Sequence, residues 1–359
     1  MTAVLDSRER VRRTLRRRQP DRVPRFDHFW RDAARDLRTQ AGTPPDVDLN
    51  DLFDFDLRVL SFDWTARLPR TVVSEDECSI VYRDANGATI RELKNSQTTG
   101  EHLDFAVKDP DIWRQTFRER YLFDRNRVHW EACARSYRKW RAEGRYIVLS
   151  CREPFEATWP LLGPVAHLMG YVESPEWIQD IYDVQTRQIE DAWTAFHEAG
   201  IEFDGAWFWG DIAYKNASMV SPKQYAERLK PFHKRLCGLV HASGGEVILH
   251  SDGNLKGLLP ELLDASFDCL QPLEVKAGMD VRELKAVYGS RLSFMGNIDA
   301  RLFQTNDREG LEREIREKVT AAKEHGGYVY HSDHSVPPGV TLATYRHALS
   351  CVDRYGRYD

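Results

Sequence analysis

From Tyr146 onward the chain alternates short runs rich in Val, Ile and aromatic residues with longer segments of helical period. No other feature constrains the fold as much, because parallel strands need a crossover between them and a helix is the usual one. Candidate strands are Tyr146–Cys151, Asp204–Trp209, Glu246–His250, Phe267–Gln271, Arg291–Gly296 and Gly327–His331, and two earlier segments, Pro24–Phe29 and Leu57–Phe62, share their character. About eight such strands close a barrel. The expected fold class is therefore α/β, a (β/α)8 TIM barrel, with all 359 residues in one domain.

The helices between the strands carry start signals. Ser174-Pro175-Glu176 and Ser221-Pro222-Lys223-Gln224 each set a capping hydroxyl before a proline at the first helical position, and Gln224 is placed to complete a capping box. After it, Tyr225, Leu229, Phe232, Leu236, Leu239 and Val240 recur at helical spacing as one apolar stripe, and Gly244-Gly245 ends the run. Alternating residues around Asn86-Gly87, between Arg70 and Leu93, predict an inserted β-hairpin. A helical segment rich in Arg, Trp and Tyr follows it, so that residues 64–145 form an insertion, with 94–145 a lid or a subunit contact, as in a homodimer. The tail from Arg354 to Asp359 is expected to fray.

Composition excludes several classes of function. With 42% hydrophobic residues and no apolar run of membrane-spanning length, a membrane protein is not expected. The opening residues have no apolar core of a secretory signal, which makes the cytoplasm the default compartment. The six cysteines lack CxxC spacing and read as reduced core residues. Net charge is −5, and the one dense basic stretch, Arg8 to Arg18, reads as the solvated face of a helix rather than a phosphate-binding arm, so nucleic acid is not an expected partner.

In such a barrel the residues ending each strand point into the active-site face. Here these are Cys151-Arg152-Glu153, Gly210-Asp211, His250-Ser251-Asp252-Gly253-Asn254, Gln271-Pro272-Leu273-Glu274, Gly296-Asn297-Ile298-Asp299 and His331-Ser332-Asp333-His334. His250 and Asp252, two apart on an extended chain, together with His334 from a later strand, form a candidate ligand set for a zinc-like divalent ion with an open position. The same residues could instead hydrogen-bond a polar substrate. Asp211, Glu153 and Glu274 are candidate catalytic carboxylates, Asp211 equally a loop-closing one. Trp209, Asn254, Asn297, His331 and Asp333 are candidate substrate-binding residues, although strict alternation along an extended segment turns His331 and Asp333 away from a face shared by Ser332 and His334.

The stretches Ser7-Arg8-Glu9-Arg10-Val11 to Pro20-Asp21-Arg22-Val23-Pro24, Gly210-Asp211 to Ser221-Pro222, HSDGN at 250–254, Gly296-Asn297-Ile298-Asp299 and HSDHSVPPGV at 331–340 together resemble the uroporphyrinogen decarboxylase superfamily over nearly the whole chain. The superfamily holds both porphyrinogen decarboxylases and corrinoid-dependent methyltransferases. The decarboxylases' arginine-rich RQAGRY element is missing here, where the chain reads Arg25-Phe26-Asp27-His28-Phe29-Trp30-Arg31-Asp32. The methyltransferases' HxC and later Cys are replaced by His250, Asp252 and His334, a harder set suited to an oxygen ligand. The resemblance thus implies a methyltransferase that moves a methyl group from a small, methoxylated donor to a cobalamin-type corrinoid carried on a partner protein. The alternatives are a decarboxylase of a carboxylated small molecule or tetrapyrrole and a non-catalytic ligand-binding barrel.

Overall fold

A computed structural model describes residues 4–94 and 99–358. Its centre is a seven-stranded sheet in which every neighbouring pair is parallel: β1 (Leu57–Leu60), β2 (Tyr146–Arg152), β3 (Gly205–Trp209), β4 (Glu246–His250), β5 (Cys269–Gln271), β6 (Ser293–Met295) and β7 (Tyr328–Val329), in that order. Helices cover its outer face, so strands such as Glu246–His250 are buried at every position and read as continuous apolar runs. The expected Pro24–Phe29 strand is reduced to isolated bridges, yet it fills the eighth place. Phe26 N donates to Tyr330 O at 3.1 Å, Tyr330 N to Pro24 O at 2.9 Å and Asp56 N to Arg25 O at 2.9 Å, which joins the β7 side to β1 and closes the barrel. Phe26 and Trp207, from opposite walls, meet edge-to-face at 5.4 Å and fill the interior.

The basic run at the start has a structural role that corrects the expectation of a solvated face. Helix α1 (Ser7–Leu15) buries Val11 and Leu15 completely and lies across the N-terminal end of the barrel. Its arginines pair with acids that open the strands: Arg8 with Asp204 (2.6 Å), Arg10 with Asp56 (2.8 Å) and, just past the helix, Arg16 with Glu246 (2.5 Å). The tail is likewise docked rather than frayed as far as it is described: Tyr358 is 9% exposed and donates from its hydroxyl to Lys323 O at 2.8 Å.

The insertion is larger than a hairpin. Strands Thr71–Glu75, Ser79–Arg83, Thr89–Leu93 and Glu101–Asp104 form a four-stranded antiparallel sheet, with Asn86-Gly87 in the turn between the second and third. Asn86 Oδ1 accepts from Ala66 N (3.1 Å) and Tyr121 Oη (2.8 Å), which ties the sheet to the helical segment behind it. That segment packs on the chain's own helix Pro175–Glu198, where Trp113 Nε1 and Arg118 both donate to Asp180.

Two capping expectations need correction. Ser221 Oγ does accept from Gln224 N at 3.2 Å, but Gln224 Oε1 is buried without a partner and no capping box forms. Ser174 occupies its cap position without a side-chain hydrogen bond. Five of the six cysteines are buried, Cys78 is exposed, and all are free thiols. Among the described residues no helix is long and apolar enough to cross a membrane.

Candidate metal centre and active site

Strands β3, β4 and β5 end in register, Trp209 beside His250 and His250 beside Gln271, so these three side chains stand side by side at the C-terminal rim. The Trp209 ring lies 4.1 Å from the His250 ring, centroid to centroid, and its Nε1 donates to Ser150 Oγ at 2.8 Å. His250 Nδ1 is 2.5 Å from Gln271 Oε1, and its Nε2 is 3.5 Å from Asp211 Oδ1. Asp211 reaches this position because Gly210 leaves room: a Cβ there would come within 2.5 Å of Glu153 Oε1.

The HSDG turn carries the next carboxylate. Asp252 N donates to Asp211 Oδ1 at 2.9 Å, and Gly253, at φ +87°, packs so closely that an added Cβ would lie 2.8 Å from the backbone of Ala213 and Tyr214. Gly253 N donates to Glu274 Oε2 at 3.0 Å, which uses that carboxylate to brace the turn. Asp252 Oδ2 is 3.6 Å from His334 Nε2, whose ring lies nearly parallel to Trp30, and Asp252 Oδ1 is buried with no hydrogen-bond partner. Asp211, His250 and Asp252 each offer a ligand atom within 4.8 Å of the others. His334 adjoins this trio at Asp252.

The electrostatics reflect the crowding of acids in a half-buried mouth. Burial pushes the Asp252 carboxyl up to about 6; His250 and His334 oppose the rise, while Asp211 and Glu274 add to it. Glu156, in the helix after β2, rises to about 8, first through burial, with Arg152 opposing and Asp211 and Glu153 reinforcing. Deeper in the barrel, burial holds His331 down to about 3. A second group, Glu312, His347 and Cys351, lies on the outer helices, where Glu312 Oε1 is already taken by Arg354 (3.0 Å) and Tyr355 (2.8 Å).

Several expected site residues stand elsewhere. Glu153 is fully buried, caps the following helix through Phe155 N and Glu156 N (2.9 Å each) and meets His233 Nε2 at 2.8 Å. Asn297 is fully buried, accepting from Val281 N at 3.0 Å and donating to Leu273 O at 2.6 Å. Asp333, also at 0% exposure, accepts from Ala300 N (2.8 Å) and Val275 N (3.0 Å). None of the three has a free polar atom facing the mouth. Asn254 Oδ1 accepts from Lys256 N at 3.0 Å within its own loop. Simple alternation also fails after β7: Ser332 turns outward to Asp27 (N···Oδ1 3.1 Å), while His331 points into the barrel, its Nε2 at 3.0 Å from His28 Nδ1. Sequence reasoning did not single out Glu156, His28 or Trp30. Glu156, in the first turn of the helix after β2, lies 3.4 Å from Arg152 at the end of that strand, and nothing in the sequence brings His28 to His331.

The sequence profile described as uroporphyrinogen decarboxylase (URO-D) matches residues 171–355. The structure is similar to that of a methyltransferase from Methanosarcina mazei, with TM-score 0.68 and 17% identity over 98% of this chain and 99% of that one. A D-psicose 3-epimerase from Clostridium cellulolyticum H10 aligns with TM-score 0.38 and 12% identity over 64% of this chain and 83% of that one. No curated protein matches the sequence.

Proposed function

The chain belongs to the uroporphyrinogen decarboxylase family, and on that footing we propose that it is a metal-assisted methyltransferase, acting on a small oxygen-bearing methyl donor with a cobalt corrinoid on a partner protein as acceptor. One observation carries the reading. Asp211, His250 and Asp252 converge within 4.8 Å, and the buried Asp252 Oδ1 has no hydrogen-bond partner, so two carboxylates and an imidazole surround a position suited to a cation. Carboxylate and imidazole suit a zinc-like or harder divalent ion. Asp211, a candidate catalytic carboxylate by sequence, becomes a ligand in this proposal, and His334 stands beside the site.

A divalent ion there would supply Lewis acidity toward the donor oxygen. The chain's own residues do the remainder. Trp209 walls the site beside His250, and the turn held by Glu274 and Gly253 fixes Asp252. A cobalt(I) corrinoid, when bound, would supply the electron pair that takes the methyl group, and the donor oxygen would keep the pair of the bond it loses. The oxygen would then need a proton, and Glu156, whose carboxyl burial raises to about 8, is the group beside Asp211 suited to hold one.

The decarboxylase alternative needs cations for substrate carboxylates. Arg25 is instead paired with Asp353 (2.9 Å), and Arg152 stacks over Trp64. Incubation of the purified, zinc-supplemented protein with reduced cobalamin and a panel of methoxylated compounds should yield methylcobalamin, followed by absorbance, and His250→Ala should lose at least about 100-fold, several kcal/mol of barrier. Carbon dioxide release from a carboxylated tetrapyrrole without methyl transfer from any donor would refute the proposal.

A further inference from the structure

A ligand histidine is useful only if the nitrogen facing the metal carries a lone pair, and the barrel interior holds a chain of hydrogen bonds whose directions decide this. It starts at a group with no choice. His331 Nδ1 lies 2.5 Å from the carbonyl oxygen of Ser332, which can only accept, so this nitrogen carries the proton and the neutral ring presents a lone pair at Nε2. His28 Nδ1, 3.0 Å from that lone pair, donates to it, and Gln271 Nε2, at 3.4 Å, shares it as a weaker second donor, since an amide oxygen turned there would face the lone pair. With its NH2 turned to His331, the Gln271 amide must present Oε1 to His250, and His250 Nδ1, 2.5 Å away, must be the donor.

We infer that Gln271 is a positioning residue: oriented by His331 and the Ser332 carbonyl, it locks neutral His250 as the Nδ1-protonated tautomer and leaves Nε2 bare toward Asp211 and Asp252. This deepens the metal reading, on which its functional consequence rests, but the tautomer is a property of the chain alone. The register makes it possible, since Gln271 is the strand neighbour of His250 and His331 follows β7 across the barrel. An amide at this place does what a carboxylate or backbone carbonyl commonly does behind a metal-bound histidine, and loss of such a partner weakens metal binding by about 10- to 100-fold.

The test reads the tautomer directly, in metal-free, nitrogen-15-histidine-labelled full-length protein at mildly alkaline pH, with His250→Gln to assign the signal. Proton–nitrogen correlation spectra should show His250 with a protonated Nδ1 and a bare Nε2. Gln271→Leu should give mixed tautomers and bind zinc about 10- to 100-fold more weakly, whereas Gln271→Glu, which keeps the acceptor, should hold both within a few-fold of the parent. His331→Phe, which frees the amide to flip, should also mix the tautomers and serves if Gln271→Leu does not fold. A His250 protonated at Nε2 in the parent protein, or a tautomer unchanged in both Gln271→Leu and His331→Phe, overturns the inference. If the parent protein binds no zinc, the metal reading fails and the spectra still decide this one.

Discussion

Replacing Asp56 by Asn should open the seam through which the barrel closes. Asp56 is fully buried immediately before β1 and accepts from Ser7 Oγ (2.7 Å), Arg10 Nη1 (2.8 Å), Arg22 Nη1 (2.9 Å) and Arg25 N (2.7 Å). It thereby fastens helix α1 and the 24–26 segment to the first strand. Burial alone would raise its carboxyl, but Arg22 and Arg10 and the Arg25 amide outweigh that and bring it from 3.8 down to about 2. At 1.36 kcal/mol per pH unit, this depression stabilises the fold by about 2–3 kcal/mol at neutral pH. Because the folded value is the lower one, the stabilisation is complete above about pH 4 and is lost as pH falls through 2, about half of it by pH 3. The Asn variant also takes the buried anion away from Arg22 and from Arg10, which is left with Asp21 (2.7 Å) alone, for a total loss of about 3–5 kcal/mol. Urea denaturation of both proteins at neutral pH and at about pH 3 measures this. A variant within about 1 kcal/mol of the parent at neutral pH, or a difference that does not shrink on acidification, would refute the argument.

Local geometry sets two further outcomes. Gly253→Ala must place a Cβ 2.8 Å from the backbone of Ala213 and Tyr214 at φ +87°, so it should cost on the order of 2 kcal/mol and weaken zinc binding by displacing Asp252, measured by thermal unfolding and by calorimetric titration. A thiol reagent should modify Cys78 alone in the native protein and all six cysteines after denaturation; rapid modification of a second thiol would contradict the burial of the other five.

The barrel was legible because burial on both faces writes itself into a strand as an unbroken apolar run, and Gly205–Trp209 and Glu246–His250 appear where those runs lie. The 24–29 segment was harder, since Pro24 has no N–H to give and closure rests on scattered bonds to Tyr330 and Asp56 rather than on a ladder. The arginines of α1 looked like a solvated face because their partners, Asp204 and Glu246, lie some two hundred residues away in sequence. His28 escaped notice for the same reason.

The candidate site was legible only as a set of polar strand ends, and that set mixes two physical roles. A carboxylate immediately before a helix has orphan N–H groups waiting for it. Glu153 before Pro154, and Asp299 before Ala300, meet that demand at Glu156 N (2.9 Å) and Arg301 N (3.0 Å), and their remaining capacity goes to the side chains of His233 and Arg301. Asp211 is succeeded instead by a small hairpin (Ala213–Tyr214 with Ala217–Ser218) and Asp252 by an irregular turn, with no helix start to absorb them: Asp211 gives one oxygen to Asp252 N, and Asp252 Oδ1 has no hydrogen-bond partner among the described residues. The sequence does carry this distinction, in Pro154 as a first-turn proline and in Gly253 as a residue tolerant of positive φ. At these four positions the residue after the strand end thus separates helix caps from free carboxylates better than the type of the strand-end residue does, and the carboxylates left free at this barrel's mouth are the ones that face His250.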